Sequence, residues 1–233
     1  MRLGFLLDLR NPPPWERPWA EHYGRVIEQV EQVEAWGAGS VWLTEHHLFE
    51  DGYLPQPLTF AAALAARTKH IRVGTGILLA ALRHPGHVAE EAAVVDLISA
   101  GRLELGIGAG YGPAEYEQFG VDISRRFSLT DGAVAEIRRL LDEGLVTPAP
   151  LQRPFPIWLG YQGPQGAGRA GRLGVGLLSV DRTLVEPYLQ GLADGGHGAH
   201  TARMGGLLEI IVADDPEAVR ERLVPAYGYQ LNT

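Results

Sequence analysis

Two hydrophobic rhythms alternate along the chain. Arg2 to Asp8 is a short apolar run ended by an acid, which predicts a first strand. After the stiff, proline-rich segment Asn11 to Pro18, Val26, Ile27, Val30 and Val33 recur at helical spacing between Glu21 and Trp36, and Gly37 supplies a stop. Val41, Trp42, Leu43 and Thr44 then form a β-forming apolar run suited to a strand buried on both faces. The alternation continues. Further strands are expected at 71–79, 103–107, 157–160, 175–180 and 207–212. Helices are expected at 57–68, 85–98, 131–145, 163–173, 184–192 and 215–227, with Pro57 and Pro85 at helix starts. Residues 111–130 and the glycine-dense 195–200 read as loops.

Strand, helix, strand, helix at these spacings implies parallel strands with helices outside them. The tally is seven strands and no composition break, so residues 1–233 are expected to be a single domain. A TIM (β/α)8 barrel needs about 250 residues. With 233 residues and no recognisable eighth strand, this α/β chain reads as such a barrel cut short at its C-terminal side, with an open edge between strands seven and one. A doubly wound open sheet is the competing architecture.

Composition narrows function more than fold. A net charge of −8 argues against nonspecific binding to nucleic acid or to anionic membranes. With 0 cysteines, disulfides and thiolate chemistry are excluded. The first ten residues carry a short apolar run broken by Asp8, and no apolar run has membrane-spanning length, so a cytoplasmic location is the expectation. The 30 glycines and 16 prolines fall at element boundaries rather than in a low-complexity tract.

The chemistry-bearing residues cluster at predicted strand ends. Glu45, His46 and His47 follow the second strand with no turn residue between, and in a parallel barrel the C-terminal strand ends carry the active site. Imidazole titrates near neutral pH, and a neighbouring carboxylate can orient it. Gly74 and Gly76 interrupt the third strand, which suggests a bulge or close approach by a ligand. Gly108, Gly110 and Tyr111 sit at the mouth of the fourth strand. Gln162, Gly163 and Gly166 open a helix after the fifth, and Ser179 lies near the end of the sixth. No metal site is expected; His197 and His200 in the glycine-rich loop are too sparse a ligand set.

Four stretches are recognisable together: VWLTEHH at 41–47, VGTGILL at 73–79, HPGHVAEEAAVVDLISAGRLELGIGAG at 84–110, and PIWLGYQGPQGAGRAGRLG at 156–174. In these the chain resembles the bacterial luciferase-like family of flavin-dependent monooxygenases, whose members are TIM barrels. The EHH triplet is similar to that of the luciferase α-subunit. The resemblance implies reduced FMN supplied by a separate flavin reductase, reaction with O2, and oxygenation of a small organic substrate. It also implies a homodimer, for which the alanine-rich helices at 57–68 and 85–99 are suited.

Residue by residue, His46 matches the family's proton-handling histidine, flanked by Glu45. Gly76 and Ile77 fall where the family often has a non-prolyl cis peptide beneath the flavin; a simple bulge is the alternative. Gly108, Gly110 and Tyr111 become flavin contacts, and the Gln162–Gly163–Gly166 turn, with Ser179 nearby, becomes the phosphate end. The chain departs from the family pattern in having Gly and Pro where Ser or Thr hydroxyls are common, and Ala109 where luciferase α-subunits have arginine. Two alternatives stay open: a deazaflavin-dependent oxidoreductase of the same fold, and a noncatalytic flavin-binding protein.

Overall fold

The structure, a computed structural model, describes residues 3–232. Its strands are β1 (Gly4–Leu7), β2 (Ser40–Leu43), β3 (Arg72–Thr75), β4 (Leu78–Leu79), β5 (Leu103–Gly108), β6 (Ile157–Leu159), β7 (Gly176–Leu178) and β8 (Met204–Gly205). The helices are α1 (Trp19–Ala35), α2 (Pro57–Arg67), α3 (Pro85–Ile98), α4 (Pro113–Gln118), α5 (Arg126–Asp142), α6 (Gly163–Arg172), α7 (Val185–Asp194) and α8 (Pro216–Asn232). The first strand begins at Gly4; Arg2 of the predicted span lies outside the described residues.

Every strand pairing is parallel, and the order along the sheet is β1-β2-β3-β5-β6-β7-β8, with β4 beside β5. β3 and β4 are two halves of one sheet position, interrupted at Gly76–Ile77, so the sheet has the seven positions expected. Their order follows the chain without reversal. A doubly wound sheet reverses direction at a switch point, and that architecture is therefore excluded. Among the described residues no pairing joins β8 to β1. The fold is a curled parallel sheet with helices outside it, a TIM-type barrel left incomplete.

Local chemistry accounts for the boundaries. Gly37, next after the C-cap Trp36 of α1, adopts a φ of +86°, a conformation that glycine takes without steric cost and that stops the helix. Pro57 and Pro85 occupy first-turn positions, where the missing N–H costs nothing. The His84 ring accepts a hydrogen bond from the Gly86 N–H at 3.2 Å and caps α3. The core lies between sheet and helices: Val41, Leu43, Val73, Leu103, Leu105 and Ile107 from the strands meet Leu64, Ala92, Val134 and Ile137 from the helices. Burying each Val, Leu or Ile chain contributes about 1.5–3 kcal/mol. Trp42 and Trp158 pack edge to face with centroids 6.0 Å apart, as a structural pair.

The motif from His84 to Arg102 is chiefly architectural. Asp96, fully buried, accepts the Leu151 N–H at 2.7 Å and the Gln152 side-chain amide at 2.7 Å, pinning the connection after α5. Arg102 Nη1 and Nη2 donate to the carbonyls of Ile71 at 2.6 Å and Ala65 at 2.9 Å.

Two elements differ from the sequence expectation. Residues 111–130 are largely helical: α4 starts at Pro113, a short 3-10 turn spans Ile123–Arg125, and α5 begins at Arg126 rather than at 131. The buried Tyr116 holds this segment down, its hydroxyl donating to the Ala109 carbonyl. Asp122 caps the 3-10 turn through the Ser124 N–H at 2.9 Å. The last strand is Met204–Gly205, not 207–212, and Val212 is 91% exposed. β7 ends at Leu178, so the edge offered to the last strand stops after Leu177↔Met204 and Leu178↔Gly205. β propensity without an edge to pair yields no strand.

Candidate active site

Parallel strands put their C-terminal ends on one side of the sheet, and the candidate residues gather there. Thr44 extends the ladder of β2, its N–H donating to the Leu7 carbonyl at 3.2 Å. Leu48 then takes a φ of +67°, and the loop folds back until the His46 N–H reaches the Leu54 carbonyl at 3.3 Å. Glu45, His46 and His47 are thus held at the strand mouth between β2 and its own return loop.

The two histidines face different carboxylates. His47 is buried, and its Nε2 lies 3.0 Å from Glu45 Oε1. The same oxygen accepts from Arg83 Nη2 at 2.7 Å, and Glu45 Oε2 accepts the Leu79 N–H at 2.9 Å. Glu45 therefore contacts His47 and Arg83, not His46, and ties β2 to β4 and the turn that follows it. His46 turns the other way. Its Nδ1 lies 3.2 Å from Glu115 Oε1, its Nε2 lies 3.5 Å from the Tyr111 hydroxyl, and its side chain is 14% exposed. Phe49, Tyr53 and Tyr111 surround its ring, with centroids 5.1, 4.7 and 5.3 Å away.

Glu115 was not among the residues singled out in the sequence, because it lies in the segment read as loop. Its Oε1 also accepts the His47 N–H at 2.7 Å, and its Oε2 is buried with no hydrogen-bond partner. Burial pushes its carboxyl up. The hydrogen bonds from the His46 ring and the His47 N–H, with the nearby imidazoles, outweigh that and hold it below the ordinary carboxylate range. Burial pushes the neighbouring Tyr116 hydroxyl up to about 12, so it stays a donor.

The glycines form a floor beside this cluster. The Gly76–Ile77 peptide is cis, at the position expected, and the half-buried Ile77 side chain projects between β5 and β6. A Cβ at Gly108 would lie 2.6 Å from Ile77 Cγ1, and one at Gly160 would lie 2.5 Å from Cγ2. Both positions need glycine to admit that side chain. Gly110, with φ +63°, gives the same clearance to Leu79, and Tyr111 beyond it is 70% exposed.

At the ends of β6 and β7 the remaining candidates stand apart from His46. Gln162 precedes α6 without a side-chain cap, and Pro164 has no N–H, so that helix end offers the backbone N–H groups of Gly163 and Gln165. A Cβ at Gly163 would meet nothing within 4 Å, whereas Gly166 packs tightly against Tyr161. Open backbone donors at a helix N-terminus fit a phosphate. Arg169 adds no free cation, because its guanidinium is paired with Asp131. Ser179 is engaged in a turn, its Oγ accepting the Asp181 N–H at 3.1 Å. Among the described residues, no group of three or more His, Asp or Glu side chains converges as metal ligands. Nor is any helix among them long and apolar enough to cross a membrane.

A parallel, singly wound sheet with ionisable side chains and an open helix end at its C-terminal side defines a TIM-type barrel with a candidate site at its C-terminal face. The family model of luciferase-like monooxygenases matches residues 1–232, and the chain belongs to that family. It is 33% identical over 158 residues to the oxygenase component of the flavin-dependent trigonelline monooxygenase of Acinetobacter baylyi, covering 61% of this chain and 44% of that one. It is 29% identical over 192 residues to an F420-dependent glucose-6-phosphate dehydrogenase of Amycolatopsis mediterranei, covering 72% of this chain and 57% of that one. Among solved structures, the monooxygenase RslO1 from Streptomyces bottropensis superposes with a TM-score of 0.86 at 27% identity, covering 98% of this chain and 77% of that one. The chain thus spans less than half of the first of these curated relatives and less than two thirds of the second.

Proposed function

We propose that the chain is the oxygenase of an FMN-dependent, two-component monooxygenase. It takes reduced FMN from a separate reductase, uses O2, and oxygenates a small organic substrate. The observation that carries this reading is His46, held at the β2 mouth with Nδ1 on a buried carboxylate and Nε2 beside the exposed Tyr111. Reduced flavin, when bound, would supply the two electrons with which one oxygen atom of O2 enters the substrate and the other leaves as water.

The chain's own residues do the rest. Gly163 and Gln165 hold the phosphate through backbone N–H groups, with the α6 dipole adding favourable field. Gly76, Ile77, Gly108 and Gly110 shape the floor for the ring system, and Tyr111 closes its edge. His46 gives and takes a proton at Nε2. Glu45 serves this group at one remove, by pinning the strand end through His47, Arg83 and Leu79. A homodimer packed across α2 and α3 belongs to the same reading; Val94 and Ile98 on α3 are each 45% exposed.

A second reading, hydride transfer on a deazaflavin without oxygen, is favoured by the likeness to the F420-dependent dehydrogenase. Titration of the purified chain with FMN and with a deazaflavin, followed by O2 uptake on reduction, separates the readings. FMN binding, with O2 uptake that yields oxygenated product rather than hydrogen peroxide alone, is the expected result. Deazaflavin binding alone would install the second reading, and FMN binding with O2 recovered wholly as hydrogen peroxide and no oxygenated product from candidate substrates would make the chain a noncatalytic binder.

A further inference from the structure

We propose that Glu115 is a positioning residue that fixes which nitrogen of His46 carries the proton. The inference deepens the reading of His46 as the proton-handling group and rests on it for its consequence in turnover. The geometry is independent of any cofactor. Glu115 sits on α4, which reaches the β2 mouth from across the sheet, and its Oε1 meets both His46 Nδ1 and the His47 N–H. Gly112 makes room for it, since a Cβ there would collide with Glu115 Oε2.

An ionised carboxylate can only accept. Nδ1 of His46 must therefore be the N–H, and the neutral ring keeps its lone pair on Nε2, the nitrogen that faces Tyr111 and the open side. The unpartnered, buried Oε2 strengthens the demand, because the carboxylate's compensation comes through Oε1 from the His46 ring and one backbone donor. The charged and titratable groups around the ring do not compete for Nδ1. Tyr53 and Tyr111 pack on the ring, Arg10 lies beyond Tyr53, 4.9 Å from that ring's centroid, and is paired with Asp51 at 2.5 Å. Glu45 and His47 are bound to each other. In this arrangement Nε2 is ready to accept a proton, or to deliver one when the ring is charged, without a prior tautomer exchange.

Histidine 15N spectra of the chain test this directly, with the His46 signals identified by their loss in His46→Ala. In the neutral ring of the wild type the proton is expected on Nδ1. Glu115→Ala should move the population toward Nε2–H, and Glu115→Gln, whose amide oxygen still accepts, should restore Nδ1–H. A wild-type ring protonated on Nε2, or a Glu115→Ala ring that keeps Nδ1–H, overturns the proposal. If the alanine variant does not fold, the wild-type spectrum alone still decides. In turnover, Glu115→Ala should lower O2-dependent oxygenation by about tenfold, with reduced-FMN affinity held within a few-fold and Glu115→Gln recovering most of the rate. Should wild type show no flavin-dependent oxygenation, the functional reading falls while the tautomer result stands or falls by itself.

Discussion

His46 and His47 are neighbours in the chain, each paired with a carboxylate, and their surroundings are opposite. The His47–Glu45 pair is closed: the Glu45 side chain is 0% exposed and is shared with Arg83 and a backbone N–H. The His46–Glu115 pair is open at one end, with Nε2 facing an exposed tyrosine. An extended chain sends successive side chains to opposite faces, so two adjacent residues of one type are delivered to the interior and to the mouth. The same pairing chemistry then makes a strut in one place and, in the proposed function, a proton site in the other.

The difference is sharpest when each pair is broken. Glu45→Ala should cost about 3–5 kcal/mol of stability, because it leaves Arg83 without its buried counter-charge and strands the His47 ring and the Leu79 N–H. Chemical denaturation would measure it, and a loss below 1 kcal/mol would show that the pair is no strut.

Exchanging the two histidines for alanine, one at a time, should separate the roles. His47→Ala is expected to lower stability by about 1–3 kcal/mol, with oxygenation per folded molecule nearly kept. His46→Ala should lower oxygenation per folded molecule at least about tenfold while reduced-FMN affinity changes little. Similar rates in the two folded variants would erase the distinction.

The smallest effect concerns acid. Glu115 titrates below its unfolded-chain value, so between the two values the unfolded chain binds more protons than the folded one. Its contribution to stability is complete above about pH 4.5 and is lost as pH falls through the folded value. Glu115→Gln should flatten that part of the stability–pH curve; an unchanged acid slope would place the linkage elsewhere.

Much of this was readable in the chain. The apolar run Val41 to Leu43 running straight into ionisable residues located the strand mouth, and two glycines at 74 and 76 marked the break between β3 and β4. The prolines at 57 and 85 marked helix starts. Glu115 was not readable. Its partner His47 lies 68 positions away, and α4 is a six-residue helix, too short to show periodicity. The run Leu207 to Val212 misled for the converse reason: its composition fits a strand, but strand formation is decided by an available neighbour, and β7 offers only two residues of edge.

The unjoined ends of the sheet carry a consequence for how the molecule opens. Among the described residues β1 pairs on one side with β2 and β8 on one side with β7, and Leu3, just before β1, is 68% exposed. Backbone amides at these two margins have a paired strand on one side, so hydrogen exchange should run faster there than at β5, which is paired on both sides. The His46–Glu115 pair draws on β2 and on α4, which follows β5, and so sits inward of both margins. Fraying at the margins can then proceed repeatedly while the His46–Glu115 pair keeps its shape.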